Sequence, residues 1–132
     1  MAFEASKALD QAFEEAMLGQ VDVDALIAVE DHLTFTGRAL VVGFAAMSRL
    51  PAIYGLRDFV DAGGLMSYGV DRRDIFRRSA IYVHRILNGV RPADLPVETP
   101  TKFELAINLK TAKALGLTIP PSLLQRADYI VQ

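Results

Sequence analysis

The sequence predicts an α/β fold built as a mostly parallel sheet with helices on both faces. Short apolar runs, typical of buried strands, alternate along the chain with longer segments of helical periodicity. Glycine or proline stands at most of the boundaries between them, as expected where strands end and helices begin. The 132 residues, 52% hydrophobic and 23% charged, are enough for one folded domain over residues 1–132.

The first half of the chain alternates between predicted helices and strands. An amphipathic helix comes first, and a continuous apolar run follows that is typical of a strand buried on both faces. The next helix is apolar on nearly all sides, so it is predicted to be mostly buried. The successive helices and strands cover residues 5–18, 25–29, 34–49, 51–54, 57–62 and 65–68.

The second half begins with a long helix that Asp71 is predicted to cap and that runs to Leu87. Proline favours an extended chain, so residues 91–102 are predicted to be a connector inside the domain. A strand over 103–107, a helix capped by Asn108, and a final helix over 120–130 follow. The long helix has an apolar stripe that is predicted to be buried: Ile75, Phe76, Ser79, Ala80, Val83, Ile86 and Leu87.

Charge and composition exclude several classes of function. The formal net charge is −2, and the arginine-rich face of residues 72–85 has little aromatic interleaving and no recognised binding motif, so no nucleic-acid partner is predicted. The chain has no cysteine and no motif for a metal, a cofactor or a nucleophile with its base, and we expect no enzyme. The first residues do not resemble a signal peptide, which favours the cytoplasm for the chain as written.

Candidate ligand contacts follow from the direction of the predicted strands. Ligands of open α/β sheets bind beyond the carboxyl ends of parallel strands. Three predicted strands end in loops with polar or aromatic side chains. The five candidate ligand-binding residues in these loops are Asp31, His32, Tyr54, Arg57 and Tyr68.

The loop of Glu30, Asp31 and His32 is the one place where two carboxylates adjoin a histidine. It is interpreted either as a contact for a ligand amine or as a polar loop in which Asp31 only caps the following helix. The other histidine, His84, lies on a helix face, so a metal or catalytic site is disfavoured.

The aromatic and cationic candidates also have two interpretations each. Tyr54 either stacks on a ligand or packs in the sheet. Arg57 either clamps a ligand carboxylate through two hydrogen bonds or forms a surface ion pair with a nearby aspartate. Tyr68 either stacks on a ligand or only precedes the next helix. The N-terminus of that helix suits an anion, although Asp71 is expected to occupy the cap itself.

Two long segments resemble one known family. They are residues 50–69, LPAIYGLRDFVDAGGLMSYG, and residues 92–121, PADLPVETPTKFELAINLKTAKALGLTIPP. Both are similar to the C-terminal part of ABC transporter substrate-binding proteins with the type I periplasmic binding protein fold. The resemblance implies one lobe of a two-lobe, periplasmic solute-binding protein that delivers a small molecule to a membrane permease. An aromatic or other amino acid is among the solutes that it implies.

The resemblance covers only the C-terminal lobe, which leaves two hypotheses about function. In the first, the chain is a solute-binding component of an ABC transporter, or a truncated remnant of one. In the second, it is a non-catalytic oligomerisation or interaction domain derived from such a lobe. Because the helix after Asp71 would pack on the other lobe in that family, its stripe is expected to fold onto this lobe or to pair with a second chain as a homodimer.

Overall fold

A computed structural model describes residues 23–132 together with Lys7 and Gln11. Lys7 and Gln11 are helical, and the rest of the helix predicted over 5–18 lies outside the described residues. The chain divides into two compact units. The first unit comprises residues 1–69 and 104–132, and the second unit comprises residues 70–103.

The described residues form one five-stranded sheet in which the strands follow the order of the chain, β1-β2-β3-β4-β5. β1 pairs in parallel with β2, β2 with β3, and β4 with β5. The N–H of Asn108 donates to the carbonyl of Leu65, and the N–H of Asp71 donates to that of Lys102, so β4 runs antiparallel to β3. The predicted α/β fold with a mostly parallel sheet is confirmed. The strands are β1 (Leu26–Ala28), β2 (Ala52–Tyr54), β3 (Met66–Val70), β4 (Phe103–Asn108) and β5 (Tyr129–Val131).

Helices connect most of these strands, and a short 3₁₀ turn at Pro92–Asp94 lies in the proline-rich segment. No helix in the described ranges is long and apolar enough to cross a membrane. The helices over residues 23–132 are α1 (His32–Thr36), α2 (Arg38–Met47), α3 (Arg57–Asp61), α4 (Arg72–Leu87), α5 (Leu109–Ala114) and α6 (Pro121–Leu124).

Side-chain caps start three of these helices. The caps at Asp71 and Asn108 are as predicted, and the cap at Asp31 agrees with the capping interpretation of that residue. Asp31 Oδ1 accepts from the N–H of Thr34 at 2.7 Å, and Asn108 Oδ1 accepts from that of Thr111 at 3.2 Å. Asp71 Oδ1 accepts from the N–H of Asp74 at 3.1 Å. Each cap satisfies a donor that has no partner inside the first helical turn.

The core of the first unit lies between the sheet and the helices α2 and α3. Phe59 and Val60 are among the most deeply buried side chains, and Val41, Val42 and Ala45 come from one side of α2. Met47 and Leu40 on α2 remain exposed, so the prediction that this helix is buried on nearly all sides was wrong. Gly37 also ends α1 and begins α2, which divides the helix predicted over 34–49 into two.

β1 and β5 depart from the sequence-based expectation. The prediction that β1 is buried on both faces was wrong, because β1 is the edge strand and Ile27 is 75% exposed. The helix predicted over 120–130 was also wrong in its second part, since α6 ends at Leu124 and Tyr129–Val131 form β5. Pairing with β4 overrides helical propensity there, and Asp128 reinforces it by accepting the N–H of Leu105 at 2.9 Å.

The stripe on α4 is not buried, contrary to prediction. None of the sixteen residues of this helix is buried, and Phe76 and Leu87 are 68% and 81% exposed. Its N-cap and its end at Asn88 are as predicted. The amphipathic pattern therefore specified the helix, but its apolar residues are divided. Ile75 and Ile86 line a groove beside the proline-rich segment, whereas Phe76, Val83 and Leu87 are exposed.

Glycine is required where β2 and β3 meet at their carboxyl ends. A Cβ on Gly69 would lie 1.8 Å from the carbonyl oxygen of Gly55. No real side chain occupies such a distance, so the two backbones approach closely only because Gly69 has no side chain.

We predict that Gly69→Ala destabilises the fold by at least about 1–3 kcal/mol, because the strands must separate to admit a methyl group. The matched control is Gly43→Ala within α2, where a Cβ meets no atom within 4 Å. That variant should stabilise the protein by up to about 1 kcal/mol through helix propensity. Urea denaturation followed by circular dichroism measures both, and equal stability of the two variants would contradict the close approach.

Candidate functional site

The carboxyl ends of β1, β2 and β3 converge at one edge of the sheet because these three strands are parallel. A Cβ on Gly55 would lie 3.3 Å from Cβ of Glu30, and Gly69 packs on the other side of Gly55. The three strand ends are thus in direct contact. Glu30 belongs to the acidic loop after β1 but is not one of the five candidate residues. The sequence signal for this close packing is the glycine after each of two predicted strands.

Asp31 and His32 leave this edge at the start of α1. The N–H of Asp31 donates to Thr34 Oγ1 at 3.0 Å while Oδ1 of Asp31 accepts from Thr34, which makes a reciprocal cap. The bond from the Thr34 N–H lowers the pKa of Asp31 below its ordinary value, so its carboxyl group stays ionised. Both Asp31 and His32 are exposed.

Tyr54 does not reach the surface. Its ring is 2% exposed and stacks on Phe59, with centroids 4.8 Å apart and planes 10° apart. Gly64 makes room for it, since a Cβ there would lie 2.5 Å from Cε2 of Tyr54. Burial raises the pKa of the Tyr54 hydroxyl to about 12. Tyr54 is therefore placed as expected if it packs in the sheet, not as expected if it stacks on a ligand.

Arg57, in the first turn of α3, has its charge neutralised within the first unit. Its Nη1 lies 3.1 Å from Oε1 of Glu104 and its Nε lies 3.4 Å from Oδ2 of Asp61. The guanidinium carbon is 4.2 Å from the centroid of the Tyr129 ring, within range of a cation–π contact. Burial works against the charge, but the bonds to Glu104 and Asp61 outweigh it and raise the pKa of Arg57. The ion-pair interpretation describes this arrangement.

Tyr68 is placed differently from Tyr54. Ser67 pairs with Tyr54 across β2 and β3 and is buried on the same face of the sheet. Tyr68 is the next residue, so its side chain points to the opposite face, where it is 56% exposed. It directly precedes Gly69 at the convergent strand ends. Of the five candidates, the structure therefore leaves Asp31, His32 and Tyr68 exposed near this edge.

A groove of about 480 Å³ lies within the second unit, between α4 and the proline-rich segment. Arg78 pairs with Glu98, and Tyr82 donates to the carbonyl of Pro96 at 2.7 Å. At the N-terminus of α4, Asp71 accepts the helix N–H and pairs with Lys102 Nζ at 3.0 Å. An anion would have to displace this carboxylate, so the cap interpretation of that helix start is confirmed.

Comparison with known proteins places these features in a family. The family model described as ABC transporter substrate binding protein matches residues 4–131. The chain is 28% identical to a tyrosine-binding protein of Clostridioides difficile (strain R20291) over 112 residues, 85% of this chain. It is 29% identical over 90 residues, 68% of this chain, to the uncharacterized protein RP367 of Rickettsia prowazekii (strain Madrid E). The chain spans only 32% and 30% of the lengths of these two relatives.

Solved structures show the same fold. An ABC domain from Streptococcus pneumonia in complex with L-Trp is 27% identical, with a TM-score of 0.80 over 99% of this chain and 43% of that chain. A conserved domain protein of Vibrio cholerae is 26% identical, with a TM-score of 0.81 over 98% of this chain and 42% of that chain. In both, the similarity extends over nearly all of this chain.

Arg57→Ala should lower the free energy of unfolding by about 1 kcal/mol, because it removes the Tyr129 contact and leaves Glu104 without its cation. The matched control is Arg126→Ala, which removes an exposed arginine for which no ion pair is seen among residues 23–132. Thermal and urea denaturation measure the difference. Equal stability of the two variants would contradict a structural role for Arg57.

The cap at Asp71 predicts a dependence of stability on pH. Lys102 and the N–H of Asp74 lower the pKa of Asp71 below its ordinary value of 3.8. Its ionised form therefore stabilises the fold above pH 3.8, and this contribution is lost as the pH falls through the lower folded pKa. In Asp71→Asn, which still caps the helix but has no charge, the deficit in unfolding free energy should be constant near neutral pH and shrink in acid. A deficit that does not change with pH would contradict the ion pair.

Proposed function

The chain belongs to the ABC transporter substrate-binding protein family, and on this basis we propose that it binds a small solute at the carboxyl ends of β1, β2 and β3. The observation that supports the site is the contact among the three strand ends at Glu30, Gly55 and Gly69. Around this contact lie the carboxylates of Glu30 and Asp31 and the exposed ring of Tyr68.

The proposed solute is an amino acid with an aromatic side chain. A carboxylate in the loop after β1, at Glu30 or Asp31, suits the ammonium group, since charge-assisted hydrogen bonds are the stronger ones. Tyr68 offers an aromatic face to the solute side chain. His32 is a further polar contact on the same loop. The L-Trp complex and the tyrosine-binding relative support this solute class.

Tyr54 and Arg57 have supporting roles in this proposal. Tyr54 holds α3 against the sheet through Phe59, and Arg57 links α3 to β4 and β5. Their side chains thus fix the loop that follows β2 without meeting the solute. The chain would act as a non-enzymatic, periplasmic binding component that passes its solute to an ABC permease.

A second candidate function is self-association of a lobe that does not bind a solute. The observation that favours it is the exposed apolar stripe of α4, since large apolar patches on soluble proteins mark interaction sites. In that case the chain forms a homodimer, and titration with amino acids releases no heat of binding.

Isothermal titration calorimetry with L-Trp, L-Tyr and a non-aromatic panel tests the first proposal. We expect binding of the aromatic amino acids, weakened about tenfold by Tyr68→Ala through loss of the aromatic contact. Asp31→Asn retains a helix cap but lacks the charge, and it should weaken binding of the amino acid more than that of its deaminated analogue. Met47→Ala, an exposed change on α2, is the control and should bind as the unaltered chain does.

Two outcomes would contradict the proposal. A folded chain that releases no heat with any amino acid would favour the self-association function. Equal affinity of the unaltered chain and Tyr68→Ala would place the solute away from the convergent strand ends.

A further inference from the structure

The second unit presents an apolar stripe with a basic border. Phe76, Val83 and Leu87 share one side of α4 and are 68%, 55% and 81% exposed. Arg73 lies three residues before Phe76, and Arg77, which pairs with Asp74 at 3.6 Å, directly follows Phe76 and lies three residues before Ala80. Any surface that covers the stripe must therefore be apolar at its centre and should be acidic around it.

The first unit presents a smaller apolar surface with an acidic border. Ile27 and Val29 are two residues apart on and just after the edge strand β1 and are about equally exposed. Asp24 and Glu30 stand on either side of them, and both are exposed. No strand pairs with the outer edge of β1 among residues 23–132.

The net charges of the two units also differ in sign. Residues 70–103 contain seven Lys or Arg and four Asp or Glu, a formal charge of +3. In the first unit, residues 23–69 and 104–132, which the structure describes, contain six Lys or Arg and seven Asp or Glu, a formal charge of −1. The two units of one chain thus carry opposite charges, and opposite charges steer and orient association.

We propose that two copies of this chain associate reciprocally, with the α4 stripe of each copy on the β1 edge of the other. In this proposal each copy supplies both surfaces, and the same contact forms twice about a twofold axis. The doubled contact also raises the buried area toward that of a stable dimer. This inference gives the surfaces for the self-association described above and does not depend on solute binding.

Charge disfavours the two simpler pairings. Two α4 stripes face to face would bring the arginine borders of both copies together. Two β1 edges paired antiparallel about Ile27 would place Asp24 opposite Glu30 of the second copy, and like charges directly opposite each other destabilise a sheet. Only the contact of α4 with β1 sets the basic border against the acidic one.

Disulfide cross-linking tests this pairing directly, because the chain has no cysteine. Ile27→Cys and Val83→Cys are prepared as separate proteins of different mass, mixed, and oxidised. We expect a cross-linked dimer that contains one chain of each kind, and little product from either protein alone. Met47→Cys on α2, which at 82% is more exposed than Ile27 or Val83, is the control that measures random collision.

Other products overturn the proposal. Cross-links between two Val83→Cys chains would show helix-to-helix pairing, and cross-links between two Ile27→Cys chains would show pairing of the strand edges. A mixed product no more abundant than that with Met47→Cys would show that another partner, or another part of a longer chain, covers these surfaces.

A charge exchange provides an independent measurement by sedimentation equilibrium. Arg73→Glu with Arg77→Glu should weaken the dimer about tenfold or more, and so should Asp24→Lys with Glu30→Lys. Combining all four changes in one chain restores opposite borders and should restore the dimer. A monomeric unaltered chain, or a combined variant weaker than both parents, would overturn the reciprocal contact.

Discussion

The close approach of Gly55 and Gly69 governs the edge of the sheet where the candidate site lies. A side chain at Gly69 would overlap the carbonyl of Gly55, so the backbones of β2 and β3 come together only without one. Glu30 then packs against Gly55 from the side of β1. Backbone therefore fills the space between these strand ends, and the exposed side chains of Asp31, His32 and Tyr68 lie beside it.

Structural contacts take up the remaining candidate side chains. Tyr54 is held between Phe59 and the space left by Gly64, and Arg57 is held by Glu104, Asp61 and Tyr129. These contacts anchor α3 to three strands of the sheet. A residue that satisfies its aromatic or ionic contacts inside the fold has little to offer a solute, and the proposed site narrows to the loop after β1 and to Tyr68.

In the proposed dimer, charge and apolar surface have different roles. Its apolar stripe has arginines beside it, whereas the exposed edge of β1 has acidic residues beside it. Apolar area supplies the driving force for association but does not choose a partner, since it is non-directional. Charge supplies the choice, because like borders repel and opposite borders attract.

The sequence by itself determined the parts of the protein that depend on neighbouring residues. The helix starts at Asp71 and Asn108 rest on hydrogen bonds to an N–H three positions later, and the apolar runs of β1 and β2 are visible in four or five residues. Two segments with long stretches of family-like sequence indicated the family, and the match over residues 4–131 confirmed it.

The tertiary structure decided what depends on distant partners. Tyr54 and Tyr68 look alike as strand-end tyrosines, but pairing of β2 with β3 buries one and exposes the other. Residues 129–131 form a strand because β4 lies beside them, and Phe76, Val83 and Leu87 on α4 are exposed because no described residue covers them. Burial and strand pairing each require two surfaces that meet. A local sequence pattern specifies one of these surfaces, and only the tertiary structure supplies the other.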